Sequence, residues 1–496
     1  SSPVQFQSWM NGTNWNAVCN GGTIVGALAA AEDYPDVCYD LIAKCMRSTE
    51  IFWKEFGPQG SWPEGPGYVI YALEYIDFMI SSMDAALGTD YGLINMGEIG
   101  GLGDFMAQED GFVAAFNYGD TAAGHQFAPY LYWLANVRND VGLGKIQTRQ
   151  MMQQKNKITG VPNVETLLWY SPEYEDITNI SFPLDAKFEQ AEVFAMRSSW
   201  TNNDGIYLAG MGGYNNYNHW HVGSGNYVLD AMGERWASDY GPDNYNAKAG
   251  YFSANRYKFY RVRAEGHNCV VINPDDSSGQ EWAEFAPITR FESSDRSCIS
   301  VVDLSKTYKE NAESYRRAYM LGDGRRTVTI RDEIELKESG DIYWFLQTFA
   351  EVDIESEKKA VLSIGFKKMI MEIVSEEPYE FYVEEAAPLP ESPEAEGQGL
   401  PGGKRVVIKY TGQKSANVTV KFTPYDYYGI VPAVNNEPID SWKTEDGAYD
   451  STPPRLNMIY LNGEPLDNFS AMNTFYRLSA PDDIHNLPNV TADAPE

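Results

Sequence analysis

The chain has 496 residues, 43% hydrophobic and 22% charged, and its 70 acidic residues against 38 basic ones give a formal net charge of −32. This length predicts more than one structural domain, and the hydrophobic content is sufficient for a folded core. The negative charge disfavours binding to nucleic acid or to an anionic membrane, and no apolar run is long enough for a transmembrane helix.

The five cysteines are odd in number, sparse and without a CxxC pair. They predict buried structural thiols rather than a disulfide framework or a four-cysteine zinc site. The chain begins Ser-Ser-Pro, without a methionine or a recognisable signal peptide, so we expect that a preceding segment has been removed. The compartment stays open, with secretion or the periplasm slightly favoured over the cytoplasm, and the oligomeric state stays open too.

Helical patterns dominate the first third of the chain. Residues 20–31 and 35–56 have apolar side chains near helical spacing, and 66–88 is the clearest helix, with a proline in its first turn and a glycine at its stop. A fourth helix is predicted at 128–139, and loops rich in glycine and proline join these segments.

Short alternating runs rich in β-branched and aromatic residues replace this pattern after about residue 185. Many strands in succession without intervening helices predict a large antiparallel sandwich. The stretch 384–404 is rich in proline, glutamate and glycine and predicts a long mobile loop between two strands. The predicted strands are EVFAMRSSW, GIYLAGMGG, NYVLDAMG, ERWASD, NCVVIN, ISVVDL, RRAYML, RTVTIRDEIEL, DIYWFLQTF, VLSIGF, YEFYVEE, RVVIKYTG and NVTVKFTPY.

Two of the five histidines stand together in NHWHVGSGNYVLDAMGERWASDYG, residues 218–241. A β-hairpin that turns at MGE would place His219 and His221 on one face and return Asp239 beside them. A third histidine, His267, opens the next predicted strand at GHNCVVIN. Histidines with an aspartate suit a divalent cation such as zinc, although a single histidine is more often a buried hydrogen-bonding residue. The other two histidines have no such neighbours and receive no role.

The polar stretch TNWNAVCNGG precedes a helix in the first half and carries Asn14, Asn16 and Asn20. Asparagine is a good helix N-cap, and Gly-Gly is a good turn. Capping explains one of the three amides comfortably and all three less well, so the stretch is a candidate binding loop.

The stretch GSWPEGPGYVIYALEY carries Glu64 and Tyr68 four residues apart. Tyr68 stands in the first helical turn after a loop rich in proline and glycine, where side chains reach a cleft more often than a core. Tyr71 and Tyr75 follow Tyr68 at helical spacing and form a stripe of tyrosines with it, and we expect the side chains of Tyr71 and Tyr75 to lie in the core.

Five motifs in this order resemble the heparinase II/III-like polysaccharide lyases, which include heparin, glycosaminoglycan and oligoalginate lyases: NWNAVCNGG, SWPEGPGYVIY, FNYGD, NHWHVGSGNYVLDAMGERWASDYGPDNY and RVRAEGHNCVVIN. The resemblance runs from about residue 13 to 275 and implies an α+β multidomain chain. A partial α/α toroid is expected at 1–180 and a two-layer antiparallel β-sandwich at 181–496. The helical part is too short for a whole toroid, so we expect its N-terminal helices to be missing from this chain.

The same resemblance implies a site made from both halves of the chain. Tyr68 and His219 match the tyrosine and histidine that serve as acid and base, and Asn16 lies in the toroid loop that binds the uronate carboxylate, where a histidine is common. The residues implied to contact the substrate are Asn14, Glu64, Asn218, Tyr245 and Arg261.

The metal ligands of the family match His221, Asp239 and His267, with zinc expected first and manganese as the alternative. We expect a structural metal, because no nearby carboxylate is evident to activate a metal-bound water. The family usually has an aspartate two residues beyond the second histidine, where this chain has Gly223, and this departure affects the metal geometry.

The chemistry of such a lyase is the removal of the C5 proton next to a uronate carboxylate. Amide donors on the carboxylate stabilise the charge that develops there. A neutral histidine suits the base, and a tyrosine, with a reference pKa of about 10, suits the acid, or both roles if its pKa is depressed. The expected partner is an acidic polysaccharide or oligosaccharide, a glycosaminoglycan or alginate, and neither nucleic acid nor a membrane.

Two alternatives stay open. A toroid glycoside hydrolase needs two carboxylates that flank the bond, for which Glu64 with Asp104 or Asp120 are candidates, although no convincing pair appears. A catalytically weak carbohydrate-binding relative is favoured by the departures at Asn16 and Gly223 and disfavoured by the retained tyrosine and histidine.

Overall fold

The computed structural model describes most of the chain and divides it by internal contacts into two compact units, Ser1–Asp446 and Gly447–Glu496. All candidate site residues belong to the first unit. The predicted domain boundary between residues 180 and 181 stays a prediction. The residues described are 12–96, 99–125, 128–154, 164–246, 250–253, 255–393, 401–447, 458–466 and 490–493.

Helices form the described chain as far as residue 174 and β-strands follow from 185, which confirms a helical region before antiparallel sheets. The helices predicted at 35–56, 66–88 and 128–139 are confirmed to within a few residues. The α-helices are α1 Asn14–Ala30, α2 Pro35–Trp53, α3 Pro66–Leu87, α4 Leu102–Gln108, α5 Tyr130–Arg138, α6 Val141–Gln154 and α7 Val164–Trp169. None of these helices, within the described ranges, has an apolar stretch that could cross a bilayer.

Helix α1 starts at Asn14, earlier than the predicted start at 20, so the asparagine-rich stretch is helical. It runs beside α3 in the same direction, because Trp15 meets Tyr71 while Gly21, further along, meets Tyr75. A Cβ at Gly21 would lie 2.8 Å from the carbonyl oxygen of Tyr75, so this glycine permits close helix packing rather than a turn. The first turns of α1 and α3 therefore lie at the same end of the helical region.

Antiparallel strands make up the second part of the chain. Four of the predicted runs merge in pairs into two long strands, β12 and β17, and the expected turn in the first is a bulge between Glu335 and Gly340. The strands are β1 Asp185–Phe188, β2 Val193–Arg197, β3 Tyr207–Met211, β4 Gly213–Tyr214, β5 Tyr227–Ala231, β6 Glu234–Ala237, β7 Val270–Ile272, β8 Phe285–Ala286, β9 Ile288–Ser293, β10 Cys298–Asp303, β11 Ala312–Gly322, β12 Thr327–Thr348, β13 Glu351–Ser356, β14 Lys359–Ile364, β15 Lys367–Ser375, β16 Glu380–Glu385, β17 Lys404–Pro424, β18 Met458–Leu461, β19 Glu464–Pro465 and β20 Val490–Asp493.

Two sheets of the first unit form the sandwich. The smaller has the order β1-β2-β3-β5-β6, and the larger has the order β13-β14-β15-β17-β12-β11-β10-β9, with β16 paired to β17 and β7 to β12. A short pair joins β4 to β8, and β18 to β20 form a separate sheet in the second unit.

The smaller sheet is buried on both faces, which explains the unbroken apolar run of β2. Side chains alternate along a strand, so Val193 and Ala195 pack in the core shared with the helices, while Phe194 and Met196 pack between the two sheets. This sheet therefore links the helices to the sandwich, and the site lies along that junction.

The predicted loop at 384–404 connects β16 to β17, and its residues 394–400 lie outside the described residues. Its first part is anchored rather than mobile, because Leu389 N and Ser392 Oγ donate to Glu265 Oε2 at 3.1 and 2.7 Å. The five cysteines are all unpaired and four are buried, as predicted.

A buried aspartate in α3 makes stability dependent on pH. Asp77 accepts only a 3.3 Å hydrogen bond from Ser81, and Oδ2 has no partner in the described chain. Burial raises the pKa of Asp77 to about 8. Since an unfolded aspartate has a pKa of about 3.9, the folded state keeps a proton that the unfolded state releases, and stability falls as pH rises from about 4 to 8.

We therefore expect Asp77→Asn to raise the free energy of unfolding by roughly 1–3 kcal/mol at pH 8 and by much less at pH 4. Thermal unfolding of both proteins at the two pH values measures this difference. An equal effect at both pH values would contradict the raised pKa.

Candidate active site

A buried carboxylate, Asp120 of the FNYGD motif, lies at the centre of the candidate site. Its Oδ2 accepts hydrogen bonds from His219 Nδ1 and Arg256 at 3.0 Å each, and its Oδ1 accepts from His221 Nε2 at 3.0 Å and from the Tyr251 hydroxyl. Burial works against ionisation, but the two histidines and the arginine outweigh it and hold the pKa of Asp120 well below its usual range.

The backbone, rather than a strand, brings the two histidines to this carboxylate. His219 and His221 lie in the loop between β4 and β5, so the prediction that they share the face of a strand is wrong. His219 has a φ of 65°, in the left-handed region that a residue with a side chain enters at a cost. The β5–β6 hairpin and its turn at MGE follow as predicted.

Hydrogen bonds and close packing hold the motif that carries Asp120 against the β4–β5 loop of His219 and His221, which we call the histidine loop. Asp120 N donates to the carbonyl oxygen of His219 at 2.9 Å, and a Cβ at Gly119 would lie 2.6 Å from that oxygen. Asn117 donates to the carbonyl oxygen of Asp239 at 3.1 Å. Glycine at 119 therefore permits the close approach that places the carboxylate under both imidazoles.

Tyr68, in the first turn of α3, stacks on the His219 ring with centroids 3.7 Å apart and planes 11° from parallel. The two residues predicted to be catalytic thus meet, although Tyr68 comes from the helical region and His219 from the region of strands. Phe252 packs edge-on against His219, and the Tyr68 hydroxyl is hydrogen bonded to the Tyr245 hydroxyl. Burial raises the pKa of Tyr68 to about 12, so its phenol is neutral at neutral pH.

The ionised Asp120 also determines which ring nitrogen of His219 carries a proton. A carboxylate can only accept, so the Nδ1 atom that faces it carries the proton. The Nε2 atom of a neutral His219 is then an acceptor, as a general base requires.

Glu64 is a second buried carboxylate and joins α1 to the histidine loop. Its Oε2 accepts from the backbone N of Asn14 at 2.8 Å, from the Asn14 amide at 3.1 Å and from Trp62 at 3.3 Å, and its Oε1 accepts from Asn218 at 2.5 Å. Burial raises the pKa of Glu64, and these donors offset part of the rise. Glu64 therefore joins Asn14 and Asn218 by hydrogen bonds, and all three residues are predicted substrate contacts.

Residues 185–418 match a family model described as Heparinase II/III-like, C-terminal. These residues therefore form a heparinase II/III-like C-terminal domain. A comparison with curated protein sequences finds no match.

Solved structures similar to this chain show the same fold. A heparinase III, the BT4657 gene product, has a TM-score of 0.60 at 13% identity, over 92% of this chain and 63% of that one. Another heparinase III has a TM-score of 0.62 at 13% identity, over 92% and 67%. The heparan sulfate lyase HepC from Pedobacter heparinus has a TM-score of 0.62 at 11% identity, over 83% and 59%. This chain thus spans 59–67% of the length of these proteins.

Asn16, the predicted ligand of the uronate carboxylate, is fully buried. Its amide nitrogen donates to the Ser48 carbonyl oxygen at 3.2 Å, and its Oδ1 accepts from Asn20 at 3.1 Å. Arg261 is half-buried and donates to the Pro242 carbonyl oxygen at 2.8 Å, so it supports the loop that carries Tyr245.

The three predicted metal ligands lie next to one another. The rings of His221 and His267 are 5.3 Å apart, and His267 Nδ1 lies 3.0 Å from Asp239 Oδ2. His221 Nδ1 and His267 Nε2 are buried, and neither has a hydrogen-bond partner in the described chain. Gly223 lies beside the unpartnered nitrogen of His267, since a Cβ added to Gly223 would be 3.7 Å from His267 Nε2.

The side chains of His221, His267 and Asp239 meet some of the requirements of a metal site but not all of them. Two unpartnered imidazole nitrogens are donors that zinc prefers, while Asp239 lies on the opposite nitrogen of His267, where a carboxylate orients a ligand ring. Among the described residues, no group of three or more His, Cys, Asp or Glu side chains is arranged to hold a metal ion. The expectation that no carboxylate lies nearby is wrong, because Asp120 contacts His221.

Sequence reasoning missed Asp120 as the organising residue, and with it Tyr251 and Arg256. Asp120 was visible only as a candidate hydrolase carboxylate. The signal that could have found it is the Gly-Asp turn of FNYGD, in which the acid follows a residue able to enter the left-handed region.

Proposed function

We propose that this chain is a polysaccharide lyase that cleaves a polymer containing uronic acid by β-elimination. The observation that carries the proposal is the stacked pair of Tyr68 and His219, in which Asp120 holds the imidazole by its Nδ1 atom. The family of residues 185–418 supports the same reaction class.

In the proposed reaction, His219 Nε2 takes the C5 proton next to the uronate carboxylate. The electron pair of that C–H bond forms the C4–C5 double bond, and the bond from C4 to the glycosidic oxygen breaks. The Tyr68 hydroxyl donates its proton to that oxygen as it leaves. The stacked rings keep base and acid on one side of a bound sugar, which suits transfer at neighbouring carbons.

The raised pKa of Tyr68 supports its assignment as acid rather than base, since a depressed pKa would be needed for the phenolate to take the C5 proton. The hydrogen bond to Tyr245 provides a donor for the phenolate that forms when Tyr68 gives up its proton. We therefore assign the base role to His219 and the acid role to Tyr68.

Carboxylate neutralisation requires an amide or cation at the uronate. Asn218 is exposed directly before His219, so its amide is suited to this role once it leaves Glu64. The predicted role of Asn16 stays a prediction and requires its bond to Ser48 to open.

The hydrolase alternative gains no support from the two buried carboxylates. Glu64 and Asp120 each already accept several hydrogen bonds from the protein, and Asp120 is held in its ionised form. A hydrolase needs one carboxylic acid that donates a proton to the leaving oxygen. Although burial raises the pKa of Glu64, both of its oxygens accept hydrogen bonds from protein donors, so neither oxygen is placed to donate a proton.

The test is a panel of heparan sulfate, heparin, unsulfated glycosaminoglycan and alginate, with ultraviolet absorbance of the unsaturated uronate as the readout. An absorbing product supports the lyase and identifies its substrate. New reducing ends without absorbance would make the protein a hydrolase, and binding without cleavage would make it a carbohydrate-binding relative.

We also propose that His221 Nδ1 and His267 Nε2 bind one divalent cation, zinc first and manganese as the alternative, while Asp239, predicted as the third ligand, orients the His267 ring from its Nδ1 atom. The support is the pair of buried ring nitrogens without partners. Bound there, the ion would supply a structural link between the histidine loop and the segment before β7.

Removal of this cation with a chelator is expected to destabilise the protein by roughly 3–4 kcal/mol relative to saturating metal. His267→Gln should abolish metal binding and unfold like the chelated protein. His125→Gln, at another buried histidine that pairs with an aspartate, should keep the metal. Metal analysis and thermal unfolding measure this, and a metal-free protein of unchanged stability would refute the site.

A further inference from the structure

Two large aromatic side chains are exposed beside the proposed active site. Trp15 in the first turn of α1 is 48% exposed, and Tyr71 in α3 is 37% exposed, against the expectation of a tyrosine stripe in the core. Their rings are 6.3 Å apart and meet at 89°, and Tyr71 meets Tyr75 at 5.8 Å and 88°. This edge-to-face arrangement holds the rings against each other and leaves ring area open to a ligand.

The pair is continuous with the site through both helices. Tyr71 follows Tyr68 by three residues, so both side chains project from one side of α3. Trp15 follows Asn14, whose backbone and amide bind Glu64, which in turn binds Asn218 next to His219. A polymer bound at Tyr68 and His219 would therefore pass the aromatic pair at the common end of α1 and α3.

The chemistry of the patch favours a ring face over a charged group. Among the described residues, the groups that act most strongly on the charge of Tyr71 are Tyr75, Glu74 and Cys19, and none of the three is a cation. These three groups offer no counter-ion to a sulfate or carboxylate, while the C–H face of a pyranose ring packs on an aromatic face without one.

We propose that Trp15 and Tyr71 form a subsite that stacks on a pyranose ring of the substrate, beyond the two sugars that flank the cleaved bond. This inference rests on the proposed function, since the occupant is another sugar of the same polymer chain. The subsite predicts that affinity depends on the length of the substrate, because a short oligosaccharide that reaches only Tyr68 and His219 leaves the subsite empty.

The test compares Trp15→Ala with wild type on the polymer and on the shortest oligosaccharide that is cleaved. We expect the KM for the polymer to rise roughly 3- to 10-fold with kcat nearly unchanged, and the KM for the short substrate to stay the same. Trp15→Phe should retain most of the affinity, because it keeps a ring. Phe366→Ala, at an aromatic residue 88% exposed on the β14–β15 turn, is the matched control and should change neither constant.

A binding measurement separates this inference from the proposed function. Calorimetry with a hexasaccharide on Tyr68→Phe protein should show weaker binding when Trp15→Ala or Tyr71→Ala is added, with thermal unfolding as a check on the fold. If the wild type makes unsaturated product, but both added substitutions leave hexasaccharide binding unchanged and Trp15→Ala alone leaves the KM for the polymer unchanged, the subsite is wrong and the lyase stands. If no polymer yields unsaturated product, the lyase is wrong, and loss of hexasaccharide binding on Trp15→Ala alone would still support the subsite.

Discussion

Tyr68→Phe is expected to lower kcat on the cleaved polymer by ~10²–10⁴-fold. The change removes one oxygen atom, which is the proposed proton donor to the leaving glycosidic oxygen, and keeps the ring that stacks on His219. KM should change much less, because the stacked ring and its packing remain. Steady-state kinetics by product absorbance, with thermal unfolding of the same protein, measures the effect.

Tyr245→Phe is the matched control, because it removes the other half of the same hydrogen bond. If the Tyr68 hydroxyl contributed only through this hydrogen bond, both variants would lose the same activity. We expect Tyr245→Phe to lose far less kcat than Tyr68→Phe, and its predicted contact with the substrate would appear in KM. Equal losses of kcat in the two variants would overturn Tyr68 as the acid.

The sequence predicted Tyr68 and His219 because each lies in a local pattern. A proline at the start of α3 and an αL glycine at its end define that helix without long-range contacts, so the position of Tyr68 in the first turn could be inferred. The paired histidines were likewise visible as a rare residue type used twice within three positions.

The conformation of the histidine loop could not be predicted in this way. A left-handed backbone at His219 is maintained by contacts with Gly119 and Asp120, almost a hundred residues earlier in the chain. No periodicity in the sequence around 219 reports such a contact, and an H-x-H between apolar residues suggests a strand.

In the fold, too, some elements follow from local sequence patterns and others depend on contacts between distant parts of the chain. Long amphipathic helices such as α2 and α3 were predicted, while short helices such as α4 and α7 have too few turns for a periodic signal. Four of the five strands of the smaller sheet were found as short runs and β1 was missed, but only the packing explains that helices cover one face of this sheet and the larger sheet covers the other.

Asp120 is the residue whose replacement should have the widest effect, because it is a single buried carboxylate that two histidines, Tyr251 and Arg256 share. Asp120→Ala leaves the guanidinium of Arg256 buried without its partner, which is expected to cost about 3–5 kcal/mol of stability. Asp120→Asn keeps the shape of the side chain but offers an amide hydrogen to one of the imidazoles. If that hydrogen faces His219 Nδ1, the ring proton moves to Nε2 and the base is blocked.

We therefore expect Asp120→Asn to remain folded and to lose ~10²–10⁴-fold in kcat, as if His219 itself had been removed. Because the chain has only five histidines, ¹⁵N-histidine labelling can follow the tautomer of each ring, and the proton of His219 should move from Nδ1 to Nε2.

Asp185→Asn is the matched control for a buried carboxylate, because it weakens the buried ion pair of Asp185 with Arg325 in the sandwich. It should lower thermal stability without changing kcat or the tautomer of His219. A purely structural role for Asp120 predicts that both variants behave alike. Full kcat in a folded Asp120→Asn protein, or a His219 ring that keeps its Nδ1 proton while activity is lost, would show that the carboxylate does not act by holding the base, and another group would then have to orient His219.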